Sequence, residues 1–474
     1  MNIIILGAGR VGESVAESLV SEKNDITVID TDPQRLHRLQ DRLDLRCVVG
    51  NGIQPSVLEQ AGTRDADMLI GCAAADETNL VACKIAHDLF SVSTTIARLR
   101  SPEFVTGSRL MDKPGFAVDE VICPEAAVTA MVSKLISYPQ ALQVLEFAHG
   151  LVSLIVVRAL PAGLLSQRRL ADIPGLLPGL GLRVVAIYRQ EAMLPDLDGE
   201  TRIEADDEVF VLAATERIRE VLFALHPANQ NPVRRVMVAG GGNVGLRLAR
   251  AIEGRYQVKL VESDRRRCDY IATQVSSATL VLHGDCTDED LLEDENVRDI
   301  DLFAALTNDD EDNIMSCLLA KRMGAKRVLA LINRKAYANL VQGTQIDIAI
   351  SPAQAVIGGL LAHVRRGDIE AVHSLRRGAS EALEAIVHGD RNSSRMAGRR
   401  VGDLTLPQGV QIGAIVRGLH RPDGEPAGDD AKPQILMAHH ALEIEPLDHV
   451  IVFVPRKQML REVEKLFQVS ATFF

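Results

Sequence analysis

Gly7-x-Gly9-x-x-Gly12 is the spacing in this sequence that can do chemistry, and the chemistry is nucleotide binding. Gly7 permits a tight turn after a strand. Gly9 lets the backbone approach a pyrophosphate. Gly12 lets the next helix pack closely on the strand, with its N-terminus facing the phosphates. Asp30 closes the following apolar run, Ile26–Ile29, where a carboxylate can accept hydrogen bonds from ribose hydroxyls. A purely structural strand–helix turn is the alternative reading, but strand, helix and acid all fall in register.

The same set occurs a second time. Val236–Ala239 leads into Gly240-x-Gly242-x-x-Gly245, and Val258–Val261 leads into Glu262. Gly50-Asn51 recurs as Gly284-Asp285, and Asp76-Glu77-x-Asn79 as Asp310-Glu311-x-Asn313. Arg100 recurs as Arg334, and Asp119…Ile122-x-Pro124 as Asp347…Ile350-x-Pro352. Landmarks that repeat in order mark two copies of one unit, with a nucleotide site expected in each. Asp30 and Glu262 repel a ribose 2′-phosphate, so NAD(H) or ATP/ADP is favoured over NADP(H). The motif does not separate NAD from an adenine nucleotide. The copies also differ. Arg10 lies in the first glycine loop and Asn243 in the second; Arg98 and Arg100 end a strand where the second copy has Ile332 and Arg334. Ligands of open parallel sheets sit at the carboxyl ends of strands, where Asn51, Ala73, Arg98 and Arg100 fall. The first site is therefore expected to hold anions more tightly.

Other chemistry finds less support. No Gly-x4-Gly-Lys-[Ser/Thr] is present, which leaves P-loop ATP hydrolysis without a basis. A duplicated dehydrogenase should repeat an acid or base beside the nicotinamide. His149-Gly150 and His388-Gly389 both occur near small-domain starts, but no carboxylate, Lys or Tyr recurs with them; they read as strand-entry turns. The acid-rich stretch from Asp285 to Asp312 reads as a solvated face, with a divalent-ion site as the alternative. Arg365, Arg366, Arg376 and Arg377 read as a charged helix face, or as a contact for an acidic partner.

The elements that position these residues follow from periodicity. Ile3–Leu6, Ile26–Ile29, Arg46–Val49, Met68–Cys72, Thr94–Arg98 and Glu120–Ile122 are predicted strands alternating with helices. The fold class is α/β: two doubly wound Rossmann-like parallel-sheet domains, each followed by a small α+β domain. The boundaries are 1–140, 141–226, 233–365 and 366–460. The small domains show β-rich runs at Leu151–Val157, Arg183–Tyr188, Glu208–Leu212, Ile412–Val416 and Val450–Val454, with one helix-like stretch interrupting each set. Residues 227–232 (PANQNP) link the two copies, and 421–432 form a Gly/Pro/Asp loop.

At 474 residues the chain is long enough for several domains. Its net charge of −12 argues against nucleic acid as a partner. No apolar run approaches the length of a membrane span, and no signal-peptide pattern opens the chain. Seven cysteines without a Cys-x-x-Cys suit buried thiols in a reducing compartment. A cytoplasmic location, or one peripheral to a membrane, is expected.

The chain resembles the tandem RCK (KTN) regulatory subunits of Trk-type potassium uptake systems. Asp119–Glu125 (DEVICPE), Ile332–Tyr337 (INRKAY), Ile346–Pro352 (IDIAISP) and His363–Ile369 (HVRRGDI) carry the resemblance, and it spans nearly the whole chain. It implies a non-enzymatic regulator docked beneath a potassium-translocating membrane subunit, with RCK domains in rings; a homotetramer fits two membrane pores. It implies NAD(H) or ATP/ADP at Gly7, Ala8, Gly9, Arg10, Val11 and Asp30, with sheet-edge contacts from Ala73, Ala74 and Arg98. In the second copy it implies Gly240, Gly242, Asn243, Val244, Gly245 and Glu262. Gly12, Asn51 and Asp285 complete the candidate set by position. One departure is Ala73-Ala74-Ala75 where many members carry Thr, so a hydroxyl contact is expected to be missing. An NAD-dependent oxidoreductase with duplicated Rossmann domains is the alternative function.

Overall fold

The apolar run at Ile3–Leu6 is almost wholly buried, as a strand covered on both faces of a parallel sheet must be. In the computed structural model it belongs to β1 (Asn2–Leu6), which pairs in parallel with β2 (Asp25–Asp30) and β4 (Met68–Gly71). With β3 (Arg46–Val49), β5 (Thr94–Arg98) and β6 (Glu120–Ile122) these form a six-stranded sheet, β3-β2-β1-β4-β5-β6. The structure describes residues 1–20, 22, 24–101, 103–104, 108–190, 192–226, 232–341, 345–365, 368–375, 379–420 and 432–469.

A five-stranded antiparallel sheet follows. Its strands are β7 (Ala141–Phe147), β8 (Val152–Arg158), β9 (Leu182–Arg189), β10 (Ala192–Met193) and β11 (Glu208–Ala214), in the order β10-β9-β11-β8-β7. The chain then repeats itself. β12 (Arg235–Ala239), β13 (Gln257–Glu262), β14 (Thr279–His283), β15 (Leu302–Ala305), β16 (Arg327–Leu331) and β17 (Ile348–Ile350) form β14-β13-β12-β15-β16-β17. β18 (Ile369–Leu375), β19 (Ser380–Ile386), β20 (Gln411–Arg417), β21 (Gln434–Met437) and β22 (His449–Val454) form β18-β19-β22-β20-β21. Each sheet of the second copy has the strand order of its counterpart, so the duplication read from isolated landmarks extends to topology.

The two copies fold into two units that each draw on both. One comprises Met1–Ala130 and Arg234–Ile357, the other Met131–Val233 and Gly358–Phe474. The first holds both parallel sheets, the second both antiparallel sheets. In the second unit the two sheets share one core: the ring of Phe210 on β11 packs at a tilt against Tyr188 on β9 (5.3 Å between centroids) and Phe453 on β22 (6.0 Å). Tyr188 Oη and Ser380 Oγ, one from each copy, are 2.7 Å apart within it.

The small domains depart from expectation in two ways. Strands β7, β10, β18, β19 and β21 have no counterpart in the predicted runs. The main helices, Ile218–Leu225 and Leu460–Phe467, follow the last strand of each set instead of interrupting it; among the described residues only the four-residue α-helix Ile173–Leu176 falls between strands. Of the proposed arginine face, Arg365 is 4% exposed and paired with Glu381 at 2.8 Å, which corrects the solvated reading; Arg366, Arg376 and Arg377 lie outside the described residues. So do 227–231 of the linker and 421–431 of the loop. Among the described residues no helix is long and apolar enough to cross a membrane.

Candidate nucleotide-binding cleft

Each glycine of the two loops occupies the position its spacing demands. Gly7 and Gly240 have φ of +102° and +99°, in the region side chains avoid. A Cβ on Gly12 would lie 1.9 Å from the Gly7 carbonyl oxygen, and one on Gly245 would lie 1.9 Å from that of Gly240. These two glycines pack behind their loops. A Cβ on Gly9 or Gly242 would meet nothing within 4 Å. That open space is where backbone can approach a ligand. The helices Arg10–Val20 and Asn243–Ile252 begin at the loops and aim their free N–H groups into the same space.

The two acids are already at work. Asp30 Oδ2 accepts from the Ala8 N–H at 2.6 Å and Oδ1 from the Asp32 N–H at 2.8 Å. Glu262 does the same in the second copy, accepting from Gly241 N–H at 2.8 Å and Asp264 N–H at 2.9 Å. Each carboxylate thus ties its glycine loop to the end of the second strand. A carboxylate has about four acceptor positions, so lone pairs remain for a ribose.

Both loops open onto one cleft of about 1490 Å³ within the first unit. Single-ligand pockets run roughly 300–1,000 Å³, so this one has room for two. From the first copy, Gly7, Ala8, Gly9, Arg10, Val11, Asp30, Asn51, Ala73, Ala74 and Arg98 line it. From the second, Gly240, Gly242, Asn243, Val244, Glu262 and Asp285 do. Of the expected set only Gly12 and Gly245 are not on the wall, being packed behind it. Arg247 Nη2 donates to the Arg100 carbonyl at 2.6 Å, a direct bond between the copies at the cleft.

The walls are unequal. Arg10, Arg35, Arg38, Arg98 and Arg100 come from the first copy; from the second, Arg267 alone. Arg98 Nη2 donates to Glu125 Oε1 at 3.1 Å, while its buried Nε has no partner among the described residues. Its structural counterpart is Leu331, buried and apolar, not Ile332: the shared hydrogen bonds pair Arg98 with Leu331 and Arg100 with Asn333, one residue off the register read from sequence. Asn333 stands on the wall in the place of Arg100, and Arg334, set against Arg100 by the sequence register, is off the wall, bonded to Glu311 and Tyr337 at 2.9 Å each. Thr78 lines the first site; the matching position in the second is Asp312. Partial burial, then the carboxylates of Asp309, Asp285 and Glu311, hold Asp312 above the usual carboxylate range. Asp285 is held low by hydrogen bonds from Thr287. The second site is thus the more negative. Thr78 and Glu125 were not in the candidate set; the repeat register, Thr78 against Asp312, is the signal that could have flagged the first.

The Asp-Glu-x-Asn motif proves to be scaffolding. Asn79 Oδ1 accepts from the Ala73 N–H (2.8 Å), and its Nδ2 donates to the carbonyls of Ala73 (3.1 Å) and Arg98 (2.8 Å). Asn313 makes the same three bonds to Thr307 and Leu331. Asp76 accepts from the N–H groups of Arg100 and Ser101, and Asp310 from those of Asn333 and Arg334. The motif therefore clamps the two loops that follow β4 and β5, or β15 and β16. Thr307, the residue facing Ala73 in the repeat, spends its hydroxyl on Asn313 (2.8 Å) and on the Asp309 carbonyl (3.1 Å). The hydroxyl missing from the first copy is internally engaged in the second.

Two further expectations change. His149 lies in the β7–β8 turn, whereas His388 follows β19; they are not repeat equivalents. The acidic stretch is largely absorbed by structure: Asp288 and Asp309 cap helices, Glu289 pairs with Arg322, and Glu295 with Lys259. Among the described residues no three His, Cys, Asp or Glu side chains converge as a metal site requires.

The TrkA-N domain family matches the chain twice, over residues 3–124 and 236–352. The Trk system potassium uptake protein TrkA of Halomonas elongata is 51% identical over 475 residues, covering 100% of both chains. The protein of that name from Vibrio alginolyticus is 48% identical over 474 residues, again covering 100% of both. Among solved structures, the GsuK RCK domain aligns with a TM-score of 0.59 at 15% identity, covering 98% of this chain and 94% of that one. A GsuK channel bound to NAD gives 0.60 at 15% identity, covering 98% and 78%. At such identity the likeness is one of fold.

Proposed function

Since the chain belongs to the TrkA family of Trk-system potassium uptake proteins, we propose that it is a nucleotide-sensing regulatory subunit that gates a potassium-translocating membrane subunit. The observation that carries this reading is the single cleft into which both glycine loops open. Its walls offer loop N–H groups, two ribose-side acids and a bank of arginines, but no acid–base pair repeated between the copies. Binding without turnover is what such a site does well. The proposed ligands are NAD(H), or ATP/ADP at the same sites; a chain of the same fold is described as a GsuK channel bound to NAD. The proposed contacts are Gly7, Ala8, Gly9, Arg10 and Val11 with Asp30, Asn51, Ala73, Ala74 and Arg98, and in the second copy Gly240, Gly242, Asn243 and Val244 with Glu262 and Asp285; Gly12 and Gly245 serve by packing behind their loops.

The proposed division of labour assigns nucleotide binding to 1–140 and 233–365, and assembly to 141–226 and 366–460. The chain would act as a homotetramer, peripheral on the cytoplasmic face of the inner membrane. Calorimetric titration with NADH, NAD, ATP and ADP tests the reading. Stoichiometric binding with the nucleotide recovered unchanged is expected. Failure of all four to bind would end it, and NADH consumption with a small carbonyl substrate would favour the dehydrogenase instead.

A further inference from the structure

In the second unit, where the small domains of the two copies meet, two histidines stack with no part in nucleotide binding. His449 on β22 and His420 just after β20 have ring centroids 5.0 Å apart and planes 11° apart. Nε2 of His449 is 2.9 Å from Nδ1 of His420. On its other side, Nδ1 of His449 is 2.5 Å from Glu384 Oε1 on β19. The second oxygen of Glu384 accepts from the Ala148 N–H at 2.7 Å, across the junction in the β7–β8 turn. That turn needs holding: Ala148, His149 and Gly150 have φ of 51°, 54° and 87°, and two of the three carry a Cβ. Glu384 and His449 are themselves buried, which a carboxylate tolerates only with partners.

Between the facing nitrogens of His449 and His420 there is room for one proton. If both rings are neutral, His420 donates. If one ring is charged, it donates and the other accepts. If both are charged, two N–H groups face each other and the contact must break. We propose that Glu384, His449 and His420 form a proton-responsive latch whose far end, the bond from Ala148 N–H to Glu384, joins the two small domains, and whose near end, the His449–His420 contact, is made while at most one imidazole is charged and broken when both are.

The surroundings agree. Facing the chain are His149, with its ring 6.4 Å from His449, and the acids Glu370 and Asp368, the latter 2.5 Å from His388. Burial and the neighbouring His449 hold His420 below the usual histidine range, against the upward pull of Glu370 and Asp368. A second cross-copy bond leans the same way. His373 Nε2 on β18 donates to the Glu146 carbonyl on β7 at 2.9 Å, beside the Lys134–Glu146 ion pair. Burial again holds His373 low. A base whose folded pKa is depressed binds more protons when unfolded. The junction is therefore at full strength above the ordinary histidine pKa and weakens as pH falls below it.

Hydrogen-exchange mass spectrometry on the full-length chain, with rates corrected for intrinsic pH dependence, tests the latch. Between about pH 7.5 and 5.5, the span in which histidine charges, amides of the β7–β8 turn and β19 should lose protection about tenfold. In His420→Gln the side-chain amide still reaches His449 but takes up no proton, so the ratio of protection at the two pH values should fall well below that of wild type, leaving only the share that His373 contributes. Reading that ratio removes any change in baseline stability. Wild-type protection that ignores pH would overturn the latch. So would an equal acid loss in His420→Gln, or a matching loss in β1 and β12 of the first unit, which would mark general unfolding.

Discussion

Asp30 shows how a residue proposed to bind the ribose can also be part of the wall it stands in. Its carboxylate holds the Ala8 N–H, so Asp30→Ala should loosen the glycine loop as well as remove the ribose contact. Asp30→Asn separates the two, because its carbonyl can still accept from Ala8. A hydrogen bond to a charged group is worth roughly 1.5–3 kcal/mol. NADH and ATP affinity should thus fall about tenfold or more in Asp30→Ala, and less in Asp30→Asn; calorimetry showing neither ligand affected would remove Asp30 from the site. A second prediction ranks the two sites. Gly9→Asp and Gly242→Asp each place a carboxylate where a Cβ meets nothing, so both should fold. Gly9→Asp should abolish the tighter binding event and Gly242→Asp the weaker one, while Asp312→Thr should tighten the weaker one. If Gly242→Asp alone abolished all binding, the ranking would be wrong. At this scale the residue types in the loops were legible, because each glycine answers a local backbone demand. The arginines were not. Whether Arg98 faces the cleft and Arg334 turns to Glu311 depends on partners 27 and 23 positions away, which no local pattern encodes.

At the scale of elements, the loops are only as rigid as the clamps behind them. Asn79 satisfies one N–H and two carbonyls at the ends of β4 and β5, and it is fully buried. Asn79→Ala leaves those groups unpaired at a cost of roughly 1–3 kcal/mol. It should lower the thermal midpoint and also weaken nucleotide binding at the first site, since Ala73 and Arg98 would lose their anchor. Thermal unfolding with and without ATP checks this; an unchanged midpoint would mean water replaces the side chain and the clamp is dispensable. The parallel sheets could be read from sequence because a strand buried on both faces is a continuous apolar run, as Ile3–Leu6 and Val236–Ala239 are. The antiparallel sheets were harder. Ser380–Ile386 reads SEALEAI, built from helix formers with two glutamates, yet every residue of it is buried in a central strand. The strand is stabilised by what lies across from it: Arg365 for Glu381, and His449 with the Ala148 N–H for Glu384. Those partners come from other segments, so local propensity points the wrong way.

For the whole molecule the question is how nucleotide binding could move a gate. Taking a two-state equilibrium from 1:99 to 99:1 requires about 5.5 kcal/mol of differential binding. Coupling at one site is typically about 1–3 kcal/mol. One site acting alone falls short, and a few sites acting on a shared change suffice. This chain has two glycine loops on one cleft, bonded across it from Arg247 to Arg100, so an occupant of one loop alters the field and contacts met by an occupant of the other. The proposed assembly would multiply the sites further: a ring in which every cleft must change together would sum their contributions. The expected outcome has three parts. The protein is oligomeric at micromolar concentration without ligand; its small-angle scattering profile changes on adding ATP or NADH; and nucleotide alters potassium flux through the reconstituted membrane partner. Gly9→Asp, which blocks the arginine-rich site, should abolish both the scattering change and the flux response while leaving the oligomer intact. A monomer, or flux that responds equally in wild type and Gly9→Asp, would mean that the cleft does not drive the gate.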